Sequence, residues 1–171
     1  MTVSRQRNRP GVATEGRGRG ALVRATAARL VVEVVLGRSL NDVLPRHQTM
    51  VAETDRALLA ELAYGVCRWY FRLEFIAGQL LSRPFKARDQ VLKALILVGL
   101  YQLLFSRVPP HAAIGETAGA AAVLRRKWAT GLVNAVLRRC QREAKRLQEE
   151  ASRIPQARFS QPQWFVDAMQ S

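Results

Sequence analysis

The stretch "QVLKALILVGLYQLLF", residues 90–105, constrains the fold more than any other part of the chain. It is apolar almost all the way round a helical wheel. A soluble helix of that kind has to lie at the centre of a domain, with other elements covering every side. Its uncharged run, residues 94–105, is twelve residues long. Crossing a bilayer takes about twenty, so it reads as a buried core helix with no membrane role. Asp89 stands where an N-cap belongs, and Pro109 and Pro110 break the chain after it.

The remaining patterns supply the cover. "ALVRATAARLVVEVVL" (residues 21–36) has helical apolar spacing and a stop at Gly37. "ETDRALLAELAYGVCRWY" begins near Glu53, with Thr54 as a possible cap, and a further helix spans residues 72–81, ended by Pro84. Between them, "RSLNDVLPRHQTM" reads as a turn or short helix closed by Pro45, with His47 as an exposed loop histidine. Trp69, Tyr70 and Phe71 read as packing at a helix junction rather than as a base-stacking surface. Small residues in "AAIGETAGAAAVL" suit a closely packed helix over residues 111–124. The last long helix starts near Thr130, with Leu132, Val133, Val136, Leu137 and Cys140 as its inner stripe. No strand pattern appears. The fold class is all-α, a bundle of six to seven helices.

"VPPHAAIGE" places His111 and Glu116 five residues apart. At 100° per residue they sit about 140° from sharing a face, so they do not converge as an acid/base or metal pair. Pro110 fits a helix's first turn, and the stretch reads as a helix start. Cys67 and Cys140 fall among apolar helical neighbours. Two lone cysteines and no CxxC argue against zinc and for a reducing, cytoplasmic setting. No metal site and no catalytic residue is expected within the chain.

Charge points to a partner. The 27 Lys and Arg against 13 Asp and Glu give +14. All but Lys86, Lys93, Lys127 and Lys145 of these cations are arginines, whose planar forks match phosphate geometry. Two clusters stand out. Residues 1–20 carry Arg5, Arg7, Arg9, Arg17 and Arg19 against Glu15 alone, and their Gly and Pro content predicts a flexible basic arm. Arg24 and Arg29 are expected to face outward beside it. Arg125, Arg126, Lys127, Arg138, Arg139, Arg142, Lys145 and Arg146 then put eight cations and one acid, Glu143, within 22 residues. A charge run so nearly of one sign favours a polyanion, and nucleic acid first among polyanions. At the far end, "RFSQPQWFVDAMQS" opens an apolar face of Trp164, Phe165 and Met169 that stops in mid-pattern, as if a second domain follows.

"VGLYQLLFSRVPPHAAIGETAGAA", "GLVNAVLRR", "ALLAELAYGVCRW" and "FSQPQWFVDAMQ" together resemble the N-terminal, NusB-like domain of the ribosomal small-subunit RNA cytosine-5 methyltransferase B (RsmB) family. The resemblance runs from residue 22 to residue 171. It implies a NusB-like helical bundle that binds ribosomal RNA. It implies as well a C-terminal methyltransferase domain with a Rossmann-like fold, using S-adenosylmethionine and a cysteine that attacks cytosine C6. The Gly-rich turn and Pro-Cys element of that chemistry do not occur in these residues, so no cofactor is expected in this chain. The domain expectation is an arm over residues 1–20, the helical domain over 21–154, and the start of a linker over 155–171. The alternatives are a free-standing antitermination factor acting with a protein partner, and a helical interaction domain whose charge serves solubility or docking.

Overall fold

The computed structural model describes residues 12–170, with side chains described from Gly18 onward. Nine α-helices follow one another: α1 (Val12–Val35), α2 (Leu40–Gln48), α3 (Arg56–Arg68), α4 (Tyr70–Leu80), α5 (Gln90–Phe105), α6 (Pro110–Val123), α7 (Thr130–Arg153), α8 (Pro155–Phe159) and α9 (Gln163–Gln170). Short 3-10 turns precede α3, α5 and α7, and there is no strand among the described residues. The two smallest helices, α8 and α9, account for the difference from a count of six to seven.

Helix α5 is the axle. Every residue from Ala94 to Gln102 is buried, and α1, α3, α4, α6 and α7 all contact it. Burying a Leu, Ile or Val side chain contributes roughly 1.5–3 kcal/mol, so this helix supplies much of the driving force. Two glycines set how near its neighbours come. A Cβ on Gly65 of α3 would sit 2.1 Å from the Tyr101 ring. One on Gly99 would sit 2.6 Å from a Leu137 methyl of α7. The one polar side chain buried within α5, Gln102, is fully used. It accepts from Arg24 Nε at 3.0 Å and donates to Val98 O at 3.0 Å and Thr117 Oγ1 at 3.1 Å.

Several local expectations change. Helix α1 starts at Val12, so residues 12–20 are helical where an irregular arm was expected. Glycine weakens a helix, but here it permits packing. A Cβ on Gly20 would lie 2.6 Å from Glu116 Oε2 of α6. Residues 1–11, with Arg5, Arg7 and Arg9, lie outside the described residues. Arg24 does not face outward; it is 4% exposed because α1 turns it toward Gln102. His47 is not an exposed loop residue either. It is buried in α2, with Nε2 2.8 Å from Glu33 Oε1 of α1. Pro45 lies inside α2 rather than closing it, because Val43, Leu44 and His47 form a stripe that anchors the helix. Gly37 does stop α1: at φ 103° it completes a Schellman turn, Gly37 N to Val34 O and Arg38 N to Glu33 O. Trp69 does pack at the α3–α4 junction, stacked on Phe105 with centroids 4.7 Å apart.

Gly65→Ala is expected to lower stability by about 1–3 kcal/mol in urea unfolding, because a methyl there overlaps the end of the Tyr101 ring, which must shift within the core. The opposite result, the gain of up to ~1 kcal/mol usual for Gly→Ala in a helix, would mean that α3 and α5 do not approach so closely.

Candidate nucleic-acid interface

Helix α7 has a sharply divided surface. Val133, Val136, Leu137, Cys140, Leu147 and Ala151 are buried against the bundle. Arg138, Arg139, Arg142, Lys145 and Arg146 are all exposed. Positions 138, 142 and 145 fall on one stripe, with 139 and 146 beside it. Leu132, expected on the inner stripe, is instead 39% exposed. It stands beside exposed Trp128 on a groove of about 550 Å³ that Arg83, Lys86 and Arg88 also line.

The carboxylates near α7 are outnumbered. Arg139 Nε donates to Glu143 at 2.7 Å, and Arg146 donates to the same Glu143 at 3.1 Å and to Glu150 at 2.7 Å. The Arg139 hydrogen bond, more than any other cause, holds the Glu143 carboxyl below its ordinary range. The bond that Arg146 donates to Glu150 is the main reason that its guanidinium titrates even higher than usual. These contacts run along one solvated helix and leave the cations at the surface. Arg138 has only a long contact to Asn134 Oδ1, at 3.4 Å. Among the described residues, Arg142 and Lys145 make no ion pair.

The other expected cations separate by role. Arg126 is tied inward: Nε to Asp89 Oδ1 at 2.8 Å, and its terminal nitrogens to Leu124 O at 3.0 Å and Arg88 O at 2.9 Å. Asp89 therefore stands at the N-cap of α5 without a side-chain cap bond, its carboxylate given to Arg126. The peptide N–H groups of Arg125 and Arg126 close the end of α6 on Ala122 O and Ala121 O. This puts Arg125 at φ 58°, where glycine is usual. Arg125 and Lys127 remain exposed. Arg19 pairs with Asp55 at 3.1 Å and with Thr54, so Thr54 accepts from Arg19 instead of capping α3. Burial lowers the pKa of Arg24 from its usual value, and the nearby Glu116 and Asp55 carboxylates partly offset this. Arg29 is exposed and reaches Val123 O at 3.3 Å, at the carboxyl end of α6. Arg17 lies in α1, and its side chain is outside those described.

Neither thiol is prepared for nucleophilic chemistry. Burial first, then Glu143, pushes the Cys140 thiol up to about 12, and burial raises Cys67. At the other end of the chain, Trp164, Phe165 and Met169 on α9 are exposed, while Val166 anchors the helix. No helix among the described residues is long and apolar enough to cross a membrane. No group of three or more His, Cys, Asp or Glu among them could hold a metal ion.

Residues 21–142 match the model of the NusB family. The chain belongs to the NusB family. Three curated relatives carry the name ribosomal RNA small subunit methyltransferase B. The one from Pseudomonas putida is 49% identical over 149 residues, covering 86% of this chain and 34% of the relative. The one from Pseudomonas syringae pv. tomato is 46% identical over 149 residues, covering 86% and 33%. The one from Salmonella newport is 44% identical over 150 residues, covering 87% and 35%. The chain thus spans about a third of the length of the curated relatives it matches.

In this NusB-family domain, sequence reasoning missed Trp128, Arg83, Lys86 and Arg88. The signal for Trp128 was an aromatic residue inside "RRKWA", outside any apolar stripe. The three cations gave none, because loop 81–89 meets the start of α7 only in the folded state. Arg126→Ala is expected to lower stability by about 1–3 kcal/mol, since it leaves the buried Asp89 carboxylate with only the longer, exposed contact to Arg88 at 3.6 Å. Arg142→Ala should stay within about 0.5 kcal/mol of the parent. Paired urea titrations check both, and equal effects would contradict the assignment of Arg126 to the scaffold.

Proposed function

We propose that this chain is the RNA-holding domain of a ribosomal RNA methyltransferase. It positions small-subunit ribosomal RNA so that a cytosine reaches a catalytic part outside these residues. The observation that carries the reading is the exposed cationic side of α7, where two arginines share Glu143 while Arg142 and Lys145 have no carboxylate. Membership of the NusB family and the names of the relatives support it. Their length, about three times the matched portion, leaves room for a catalytic domain that binds S-adenosylmethionine.

The RNA contacts in this reading are Arg138, Arg139, Arg142, Lys145 and Arg146, joined by Arg125, Lys127, Arg29 and the arginines near the amino end. Exposed guanidinium and ammonium groups meet phosphates and release counterions, which gives affinity without base readout. Arg24 and Arg126 drop out as contacts because the fold uses them internally. Trp128, exposed among cations, is suited to stacking on an unpaired base. The exposed Trp164, Phe165 and Met169 of α9 are the surface for the methyltransferase domain. Methyl transfer from S-adenosylmethionine to cytosine C5 belongs to that domain. The two thiols here, raised in pKa and held in helices, do not fit the nucleophile's part. The setting of such an enzyme is the cytoplasm, where ribosomes assemble.

The triple change Arg138→Ala, Arg142→Ala, Lys145→Ala should weaken binding to a small-subunit ribosomal RNA fragment. It should also make the log–log salt slope shallower by roughly 2–3, at about 0.7–0.9 per phosphate contact. The urea midpoint should stay near that of the parent. Unchanged affinity and slope would remove α7 from the interface.

A further inference from the structure

His111, which sequence reasoning set aside as the start of a helix, lies on the rim of a polar cleft. The cleft runs between the amino-terminal half of α6 and the middle of α7 and measures about 290 Å³. Ile114, 3% exposed, belongs to its floor. His111 and Gly115 of α6 line one side, and Asn134, Arg138 and Gln141 of α7 the other. Four side chains with hydrogen-bonding groups converge there, and none of them is a carboxylate.

Glu116, the residue after Gly115, is not among the residues that line the cleft. It lines the neighbouring groove with Ala21, a groove that His111 and Gly115 also border, and there it lies against Gly20 and partly offsets the lowering of the Arg24 pKa by burial. His111 thus stands between the two, and the lining of the cleft itself carries Arg138 and no carboxylate. Gly115 is the second clue. A glycine inside a helix is costly relative to alanine, and packing usually explains it. Here a Cβ would meet nothing within 4 Å. The space above Gly115 leaves the α6 backbone open to whatever enters the cleft.

We propose that this cleft receives a single nucleotide of the bound RNA strand, with Arg138 on its phosphate and the carboxamides of Asn134 and Gln141 on its base or sugar. The inference rests on the RNA-holding reading above and gives it a place where sequence can be read. The chemistry fits. A guanidinium fork pairs with phosphate oxygens. A carboxamide offers a donor and an acceptor side by side, the pairing that base edges present. A protein helix seated in the same cleft would need an apolar wall, and its lining side chains are mostly polar.

The test uses two neutral substitutions, Gly115→Leu to fill the cleft and Gln141→Ala to remove one reader. Anisotropy of a labelled single-stranded RNA of mixed sequence, about 12 nucleotides long, is followed across a salt series, with thermal unfolding as the control for folding. The cleft predicts binding about tenfold weaker for Gly115→Leu, with a smaller loss for Gln141→Ala. It also predicts an unchanged salt slope, since no cation is lost, and an unchanged or higher melting temperature. Wild-type binding retained by both variants would overturn the cleft while leaving the RNA-holding reading intact, and is the result expected if the cleft seats a protein helix. A weaker affinity together with a shallower slope would also overturn it, because the loss would then lie in phosphate contacts elsewhere. No binding by the wild-type chain even at low salt would overturn the RNA-holding reading, and the cleft with it.

Discussion

Everything in this fold leans on the burial of α5. A helix apolar on all sides cannot face water, so five other helices contact it. The geometry follows from how near each can come. Gly65 admits the Tyr101 ring, Gly99 admits Leu137, and Gln102 fixes α1 and α6 by hydrogen bonding to Arg24 and Thr117. The Gln102 node is polar but satisfied, so it adds specificity of register without an orphaned group. Once α5 is enclosed, α7 is held against it by its Val133–Leu147 stripe, and its other side is left to solvent.

That division turns a packing solution into a charged surface. The inward residues of α7 are aliphatic and its outward residues are arginine and lysine. Few carboxylates neutralise them, and those that do lie on the same helix. Cations with inward tasks behave differently. Arg126 joins the end of α6 to the turn before α5, and Arg72 ties α4 to α7 through Gln148 at 2.8 Å and Ser152 at 3.0 Å. Positive charge in this domain thus has two uses, one that holds helices together and one that faces a polyanion.

The sequence made the first level of this legible and hid the second. The all-helical class, the central place of residues 90–105, the Gly37 stop and the Trp69 junction follow from periodicity and local backbone rules, which act within a few residues. Whether an arginine is free depends on partners far along the chain: Arg24 meets Gln102, and Arg126 meets Asp89. Spacing carries no trace of those encounters. The same holds for His47, whose burial depends on Glu33 of another helix. The cleft beside His111 was equally invisible, because it forms only where α6 and α7 run side by side. On the wheel, His111 and Glu116 diverge, and in the fold both border the groove beside Ala21 while only His111 reaches the cleft against α7.

In the proposed complex, RNA lies along the seam of α6 and α7 while α5 stays an undisturbed axle. Amide hydrogen exchange, measured with and without a small-subunit ribosomal RNA fragment, tests it most directly. Slower exchange concentrated in the first two turns of α6 and in residues 134–146 of α7, with α8 and α9 unaffected, is the expected pattern. Protection confined to α8 and α9, with the α6–α7 seam unchanged, would contradict it.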